Sequence, residues 1–396
     1  MKNINIDEVL TRGVAQILPD KETLKKLMAK RKIKLYLGID PTGSLLTLGH
    51  SVVLRKLKQF ADLGHEVILL IGNGTVKIGD PTGRDSTRPM LTDAQIEENF
   101  KTWKSQASKI LDFKKITIKR NGDWLDKLAM PEIIQLAAKT TLQQLIERDM
   151  FQERIKKNLP IFTHEILYPL LQGYDSVAMN VDLELGGTDQ TFNMMMGRNL
   201  QQLYHNKKKW VLTTPIINGL DGRKMSKSYS NYVALTENPK DMYGKLMRIS
   251  DEMIIDYFIL LTDVELQKIE VMRKKLQSGE ENPMDLKKKL AFTITEFYHS
   301  KKEAQQAENT FERVVQEKGI PNKIKECLIS TKKTNITDLI LNCKLVSSKS
   351  EAKRLIEQSA VTVEDKVISD WHQEINISDG TIIRAGKRNY AKLKLK

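Results

Sequence analysis

The chemistry this chain could perform is concentrated in a few short stretches, the first of which runs from Tyr36 to His50. It reads Y-L-G-I-D-P-T-G-S-L-L-T-L-G-H and continues an apolar run that begins at Ile33. A strand-like run, the turn-rich Asp40-Pro41-Thr42-Gly43-Ser44, and then Gly49-His50 ahead of Val53, Leu54, Leu57, Phe60 and Ala61 at helical spacing make a strand–turn–helix unit. Such a unit aims backbone N–H groups and the positive end of a helix dipole at an anion. An ordinary βα turn shares this layout, but a histidine at the helix start sets an imidazole beside any phosphate held there.

Other stretches repeat the theme. Asp80-Pro81-Thr82-Gly83 duplicates the D-P-T-G of Asp40–Gly43 and also follows an apolar run, which would carry both turns to one edge of a sheet. Tyr168, Gln172 and Asp175 stand at i, i+4 and i+7, one polar line on a helix whose neighbours Leu167, Leu170, Leu171 and Val177 are apolar. That line fits either the wet side of a helix or the wall of a cleft. Gly186-Gly187-Thr188-Asp189-Gln190 is a second strand–glycine–helix junction, with Asp189 placed to accept hydrogen bonds from a ribose. Asn218 to Ser228 combines two glycines, cations and the sequence Lys224-Met225-Ser226-Lys227-Ser228, a phosphate-seeking loop or a solvated one.

The elements that must position these residues follow from periodicity. Residues 7–31 read as helix, Ile33–Gly38 as a strand, and Glu66–Gly72 as a strand buried on both faces. Residues 93–113 and 131–157 read as helices on either side of a strand at Lys115–Lys119. The helix carrying Tyr168 has Pro169 in its first turn, a strand follows at Val181–Leu185, and Met194, Met195 and Met196 fill core or interface. This β-α-β order predicts a doubly wound, Rossmann-like parallel sheet. Residues 236–330 are charged and helical in period, with Lys287-Lys288-Lys289 as solvated basic surface. Beyond Thr331 come two short helices, Ile336–Leu345 and Ser350–Gln358, and strands at Val361–Val363 and Thr381–Arg384. The tail from Gly386 to Lys396 alternates lysine with apolar residues as an edge strand does.

With 396 residues and 40% apolar composition the chain has room for two or three domains, and no apolar run approaches a membrane span. The start, Met1 to Glu8, has no signal-peptide apolar stretch and carries early acids. Cys327 and Cys343 cannot make a metal site or a disulfide framework, which fits a reducing cytoplasm. The formal charge of +14 points to a polyanion, most simply nucleic acid. Lys349, Lys353 and Arg354 on one helix, with Lys387 and Arg388 in the tail, form a basic face for its phosphates.

Taken together, these residues resemble a bacterial-type tyrosyl-tRNA synthetase, a class I aminoacyl-tRNA synthetase, over essentially the whole chain. The carriers are Thr47-Leu48-Gly49-His50, where the family has H-I-G-H, the K-M-S-K-S at Lys224–Ser228, and G-G-T-D-Q and Y-x-x-x-Q-x-x-D between them. The resemblance implies a Rossmann-like catalytic domain with a dimerising insertion over residues 1–223 and a K-M-S-K-S loop at 224–235. It implies a helical anticodon-side domain at 236–330 and a small α+β RNA-binding domain at 331–396. It implies that Tyr36 and Asp175 pair the substrate phenol, and that Asp80, Tyr168 and Gln172 hold its ammonium group. Gly38, Asp40, Gly49, His50, Gly187, Asp189, Gln190 and Lys227 then surround ATP, with Thr42, Thr47, His50, Lys224 and Lys227 as the catalytic set. Arg84 and Arg88 lie where the family has loop cations.

The implied reaction joins L-tyrosine to ATP, with Mg²⁺ accompanying the nucleotide, and passes tyrosine to its tRNA; a cytoplasmic homodimer and no protein-bound metal complete the expectation. The substrate carboxylate is already anionic and attacks phosphorus without a general base, so catalysis rests on positioning and charge stabilisation. Two residues depart from the pattern. Thr47 replaces the first signature histidine, leaving a hydroxyl to bond a phosphate oxygen, and Glu184 stands where the family often has glutamine beside the tyrosine pocket. Three other readings share parts of the pattern. A tryptophanyl-type enzyme is disfavoured by Tyr36 with Asp175. A small-molecule nucleotidyltransferase needs no K-M-S-K-S, and a non-catalytic RNA-binding protein needs no intact Lys224, Lys227, Asp80 and Asp189.

Overall fold

Apolar runs of strand length form the centre of the structure. The computed structural model describes residues 5–82, 91–313, 324–364, 366–386 and 389–395. Its contacts divide into two compact units, Met1–Asn238 with Lys245–Tyr298, and Pro239–Gly244 with His299–Lys396. In the first unit β1 (Gln16–Leu18), β2 (Lys34–Ile39), β3 (Glu66–Ile71), β4 (Ile116–Arg120), β5 (Leu183–Gly187) and β6 (Trp210–Thr214) form one sheet in the order β1-β6-β5-β2-β3-β4. β2 pairs in parallel with β3 and β5, β3 with β4, and β5 with β6, while β1 runs antiparallel along β6. This is the expected doubly wound sheet with one antiparallel edge. The chain adds β3 and β4 on one side of β2, then β5 and β6 on the other, so the strand order reverses between β2 and β5. A crevice opens at the carboxyl ends of strands at such a reversal.

Burial explains why these runs became strands. Leu35, Leu37, Val67, Leu69, Leu183, Leu185 and Leu212 are enclosed on one face and Tyr36, Ile68, Leu70, Glu184 and Val211 on the other, as a parallel sheet covered on both faces requires. The helix Leu48–Asp62 covers one face and buries Leu57 and Phe60 completely; each such side chain contributes about 1.5–3 kcal/mol. Register brings Tyr36 of β2 opposite Glu184 of β5 and Ile68 of β3, which puts the switch point beside a tyrosine and a carboxylate.

Several boundaries differ from the periodicity. The helix expected over 7–31 is split into Ile6–Val9 and Lys21–Lys30. Gly13 turns the chain at φ +59, and Gln16–Leu18 takes its ladder bonds from β6, a partner local spacing does not reveal. The helix expected over 131–157 is three, Met130–Ala137, Leu142–Ile146 and Asp149–Lys156. Thr141 starts the second as its N-cap, its hydroxyl accepting from the Gln144 N–H at 3.3 Å. Pro169 lies inside the helix Thr163–Met179 rather than in its first turn. The burial of Tyr168, Leu170, Val177 and Met179 along that helix outweighs the roughly 3 kcal/mol an interior proline costs. β5 begins two residues later than expected, which carries Gly186 and Gly187 into the sheet.

In the second unit β7 (Lys325–Ile329), β9 (Val361–Val363), β10 (Lys366–Val367), β12 (Ile382–Ala385) and β13 (Asn389–Leu395) form a sheet in the order β10-β9-β12-β13-β7, and β8 (Lys333–Asn335) pairs with β11 (Glu374–Asn376). Helices Ile336–Asn342 and Lys349–Glu357 bury Ile336, Leu339, Ile340 and Ile356 with Val361, Ile383 and Leu393 of the strands. The tail is not an edge strand. β13 lies between β12 and β7, with Leu393 opposite Cys327, so its buried face packs while its lysines face outward. β7 falls in the stretch read as helical because its ladder partner is distant in sequence. Cys327 and Cys343 are joined in a single bridge with Cα atoms 5.4 Å apart, a pairing their sequence positions did not suggest.

Candidate active site

A cleft of about 310 Å³ occupies the switch point, walled by the ends of β2, β3, β5 and β6. Tyr36, Gly38, Asp40, Thr42, Thr47, Gly49, His50, Asp80, Tyr168, Gln172, Asp175, Gly187, Asp189, Gln190 and Lys224 all line it. Residues scattered over nearly 190 positions thus meet at one sheet edge. Lys227 lies off the wall. Its ammonium stands 3.3 Å from where a Cβ on Gly43 would be. Arg84 and Arg88 lie outside the described residues, as do Lys387 and Arg388 of the basic face. Of the remaining basic residues, Lys349 pairs with Asp338 at 2.7 Å, Lys353 rests its ammonium 3.6 Å from the Trp371 ring centroid, and Arg354 is exposed.

At the closed end of the cleft two polar groups are fully enclosed. The Tyr36 hydroxyl meets Ser176 Oγ at 3.0 Å. Asp175 accepts from Trp124 Nε1 at 2.8 Å and from Asn121 Nδ2 at 3.1 Å. Burial, with Glu184 and Asp175 adding to it, pushes the Tyr36 phenol well above its ordinary range, so it stays protonated. Burial also pushes the Asp175 carboxyl up, with Asn121 and Trp124 pulling the other way. Gln172 donates to Glu184 Oε1 at 3.2 Å, and its own buried Oε1 has no hydrogen-bond partner among the described residues. An orphaned acceptor on the wall is the fit test for a cationic donor such as an ammonium group.

Midway along the cleft the two D-P-T-G aspartates converge by different routes. Asp40 follows β2 directly and accepts from Tyr168 Oη at 2.9 Å and Thr75 Oγ1 at 2.7 Å. Asp80 arrives after a short 3₁₀ turn, Thr75–Lys77, and accepts from Thr82 and from Gln190 Nε2 at 2.8 Å. The close approach of Asp40 requires Gly72 at the end of β3, where a Cβ would stand 1.9 Å from Asp40 Oδ1.

Another part of the cleft wall is built on the helix Leu48–Asp62. Thr47 is its N-cap residue, and His50 Nδ1 lies 3.1 Å from the Thr47 N–H and 2.9 Å from Thr47 Oγ1. Because an N–H can only donate, Nδ1 is the acceptor and the proton of the neutral ring sits on Nε2. Burial, with the Lys227 charge adding to it, holds the imidazolium down to about 4, so His50 is neutral at physiological pH. Leu48 N–H is taken by Val233 O at 2.9 Å. The next N–H, that of Gly49, is beyond reach of any carbonyl of its own helix and belongs to the cleft wall.

Two supports hold the first D-P-T-G loop and the K-M-S-K-S segment. Asn99, Thr102, Trp103 and Gln106, on one face of the helix Asp93–Ala107, bond the carbonyls of Pro41, Gly43 and Ser44 at 2.7–2.9 Å. The first D-P-T-G loop is therefore pinned from behind. The K-M-S-K-S segment is tied by Asn231, which accepts from Ser226 N–H at 2.8 Å and donates to Lys224 O at 3.1 Å. Leu235 N–H bonds Leu46 O at 2.9 Å, so the chain a few residues beyond K-M-S-K-S is hydrogen-bonded to the chain around the start of the first signature. Lys224 Nζ lies 2.6 Å from Asp189 Oδ2, so the first lysine of K-M-S-K-S rests on the aspartate of G-G-T-D-Q.

Thr75, Asn121, Trp124, Ser176, Lys209 and Asn231 were not foreseen. Asn121 had a signal, since Asn121-Gly122 directly follows β4 at the same carboxyl edge. The others act through side-chain contacts that spacing does not encode.

The parallel sheet, its switch-point cleft and the helix-start histidine define an α/β nucleotide-binding site joined to a polar, closed pocket. The family described as tRNA synthetases class I (W and Y) matches residues 28–316, and the Tyrosine--tRNA ligase SYY-like C-terminal domain matches residues 316–393. The tyrosine–tRNA ligase of Thermotoga maritima is 46% identical over 387 residues, covering 98% of this chain and 96% of that protein. That of Moorella thermoacetica is 44% identical over 390 residues, covering 97% and 94%. The crystal structure of tyrosyl-tRNA synthetase from Archaeoglobus fulgidus, complexed with L-tyrosine, shares the fold at a TM-score of 0.61 with 22% identity, covering 77% of this chain and all of that one (100%). The chain belongs to the class I tRNA synthetases of the W and Y group and, within it, to the tyrosine–tRNA ligases.

Proposed function

We propose that this chain activates L-tyrosine with ATP and transfers it to the terminal adenosine of tyrosine tRNA, using the residues gathered in the cleft. One observation carries the assignment of the amino-acid end: a fully enclosed pair, the Tyr36 hydroxyl and the Asp175 carboxyl, closes the cleft. A phenol O–H satisfies both, whereas a phenyl ring leaves them buried and unmatched, at about 1–3 kcal/mol per group. Gln172, with its orphaned Oε1, Tyr168 and Asp80 hold the ammonium group.

The tyrosine carboxylate attacks the α-phosphorus. The new bond is carboxylate oxygen to phosphorus, the bond to the β-phosphate oxygen breaks, and pyrophosphate leaves. Charge growing on the phosphates is met by the Gly49 N–H, the His50 Nε2–H, Thr42 and the ammonium groups of Lys224 and Lys227. Thr47 acts chiefly by holding His50 in the Nε2–H tautomer, which is how a threonine serves where the signature has histidine. Lys224 leaves Asp189 as the nucleotide enters, freeing the carboxylate for the ribose and the cation for pyrophosphate. Mg²⁺ enters bound to the phosphates of ATP as part of the substrate. In the second step a ribose hydroxyl of the tRNA attacks the acyl carbon and AMP departs, with the basic residues Lys349 and Arg354 supporting RNA binding.

The functional form is a homodimer. Met130, Ile134, Leu142, Phe162 and Leu203 are 48–69% exposed on helices packed around the core of Leu136, Leu145, Leu170, Met196 and Leu200, an apolar surface suited to a second copy. Among the described residues no helix is long and apolar enough to cross a membrane. The reaction belongs in the cytoplasm, where ATP and tRNA are. Charging of unfractionated tRNA with labelled tyrosine and with labelled tryptophan tests the reading: tyrosine alone is incorporated. Tryptophan incorporation, or none with tyrosine, sinks it.

A further inference from the structure

Beneath the closed end of the cleft lies a buried ion pair that the reaction itself does not use. Lys209, just ahead of β6, has no exposed surface, and its ammonium donates to Ser176 Oγ at 2.7 Å, to Met194 O at 3.2 Å and to Glu184 Oε2. Glu184 is equally enclosed. Room for the ammonium depends on Gly197 in the helix Thr191–His205, where a Cβ would stand 2.6 Å from Lys209 Nζ and 2.7 Å from Ser176 Oγ. A helical glycine costs stability, so this space is kept at a cost.

The direction of each hydrogen bond follows from what each group can do. A lysine only donates, so Ser176 Oγ accepts from Lys209. The serine proton then has two acceptors in reach, the Tyr36 oxygen at 3.0 Å and Glu184 Oε2 at 3.4 Å. A carboxylate oxygen can accept twice, but at 3.4 Å Glu184 Oε2 is at the limit of a hydrogen bond, and the 3.0 Å contact directs the serine proton to Tyr36. That turns the Tyr36 proton away from Ser176 and into the cleft. Asp175, held by Trp124 and Asn121, faces the same space as an acceptor. The closed end therefore offers one donor and one acceptor.

We propose that Lys209, through Ser176, is a positioning residue for amino-acid selection: it fixes a one-way order, Lys209 to Ser176 to Tyr36 to substrate phenol to Asp175. Glu184 is the counterion that allows a lysine to be buried there. The proposal rests on the tyrosine reading above and extends it to Lys209 and Ser176, which lie behind the cleft wall rather than on it. In this chain the carboxylate that stands where the family often has glutamine has Lys209 as its counterion. A ligand that accepts but cannot donate, such as the O-methyl ether of tyrosine, satisfies Tyr36 and leaves Asp175 unmatched.

Two variants separate selection from scaffolding. Ser176→Ala keeps the ion pair and removes the relay. The double variant Lys209→Met with Glu184→Met replaces the pair by apolar side chains of similar size, a change that is often neutral or stabilising. Each is measured by tyrosine-dependent and phenylalanine-dependent ATP–pyrophosphate exchange, with melting temperature recorded alongside. The relay predicts a tyrosine KM raised about 3- to 10-fold and a tyrosine-to-phenylalanine preference reduced by a similar factor, as loss of one hydrogen bond implies, with the KM for ATP unchanged. Melting temperatures near wild type with an unchanged tyrosine KM and preference would overturn the relay, and so would a parallel rise in the KM for ATP. If the wild-type chain shows no exchange with tyrosine, the functional reading fails instead, so the two failures are distinct.

Discussion

Asp175→Asn tests the amino-acid pocket with the smallest change of shape. In the wild type each carboxylate oxygen accepts one N–H, from Trp124 at 2.8 Å and Asn121 at 3.1 Å, and keeps a lone pair for the phenol. The amide can accept at one oxygen only. Its NH₂ faces the other donor, and the phenol loses a charged acceptor. A hydrogen bond to a charged group contributes about 1.5–3 kcal/mol, so kcat/KM for tyrosine falls about 10- to 150-fold. Stability changes little, because two effects oppose. Leaving one buried N–H unmatched costs about 1–3 kcal/mol. Against this, burial raises the Asp175 pKa, so its stabilising protonated form is fully present below the ordinary carboxylate range and is lost as pH rises through the raised value. The amide, which does not ionise, removes that loss. Ionised Asp175 is the phenol acceptor, so the wild-type kcat/KM for tyrosine also drops as pH falls through the raised pKa, and the variant lacks this acid limb. The assay is ATP–pyrophosphate exchange against pH, with thermal melting in parallel. An unchanged kcat/KM for tyrosine, or an equal loss in the KM for ATP, would refute the placement of the phenol at Asp175.

Three further outcomes follow from the geometry. Lys224→Ala leaves the melting temperature within a degree or two, because its half-exposed pair with Asp189 contributes at most about 1 kcal/mol, yet slows activation about 100-fold or more by removing a cation from the departing pyrophosphate; rapid-quench kinetics and calorimetry measure the two effects. Gln106→Ala frees the Leu46 N–H and removes one of the two donors on the Ser44 carbonyl, Thr102 keeping the other, and the loosened loop lowers kcat about 10-fold while the tyrosine KM stays put, as steady-state exchange will show. His50 protonates only near 4, so the activation rate shows no limb around 6.5, the usual histidine range; a break there in single-turnover rates would mean that the ring is not enclosed as described.

Much of the catalytic frame was legible in the sequence because it is written in local patterns. Glu66–Ile71 reads as a doubly buried strand because every position but the first is apolar, and the line Tyr168, Gln172, Asp175 reads as one face because helix geometry fixes the spacing. What stayed hidden depends on partners far along the chain. β1 and β7 are strands because of β6 and β13, and nothing in Gln16–Leu18 or Lys325–Ile329 announces those neighbours. The supports of the site were hidden for the same reason. Ser176 sits next to Asp175 in sequence, but its importance comes from Lys209, which reaches it through space. Glu184 looked like an unexplained departure until its counterion was seen. The Thr47 hydroxyl was expected to face a phosphate oxygen, and in the structure it meets the histidine three residues on.

The enclosed Tyr36 and Asp175 pair is tested most directly by which amino acid this chain activates. ATP–pyrophosphate exchange with the wild-type protein, each of the twenty amino acids supplied alone and no tRNA present, measures that step by itself. Exchange driven by tyrosine, with phenylalanine and tryptophan at background, is the predicted result. Exchange driven equally well by phenylalanine, or by tryptophan in place of tyrosine, would contradict the pairing of a phenol between Tyr36 and Asp175.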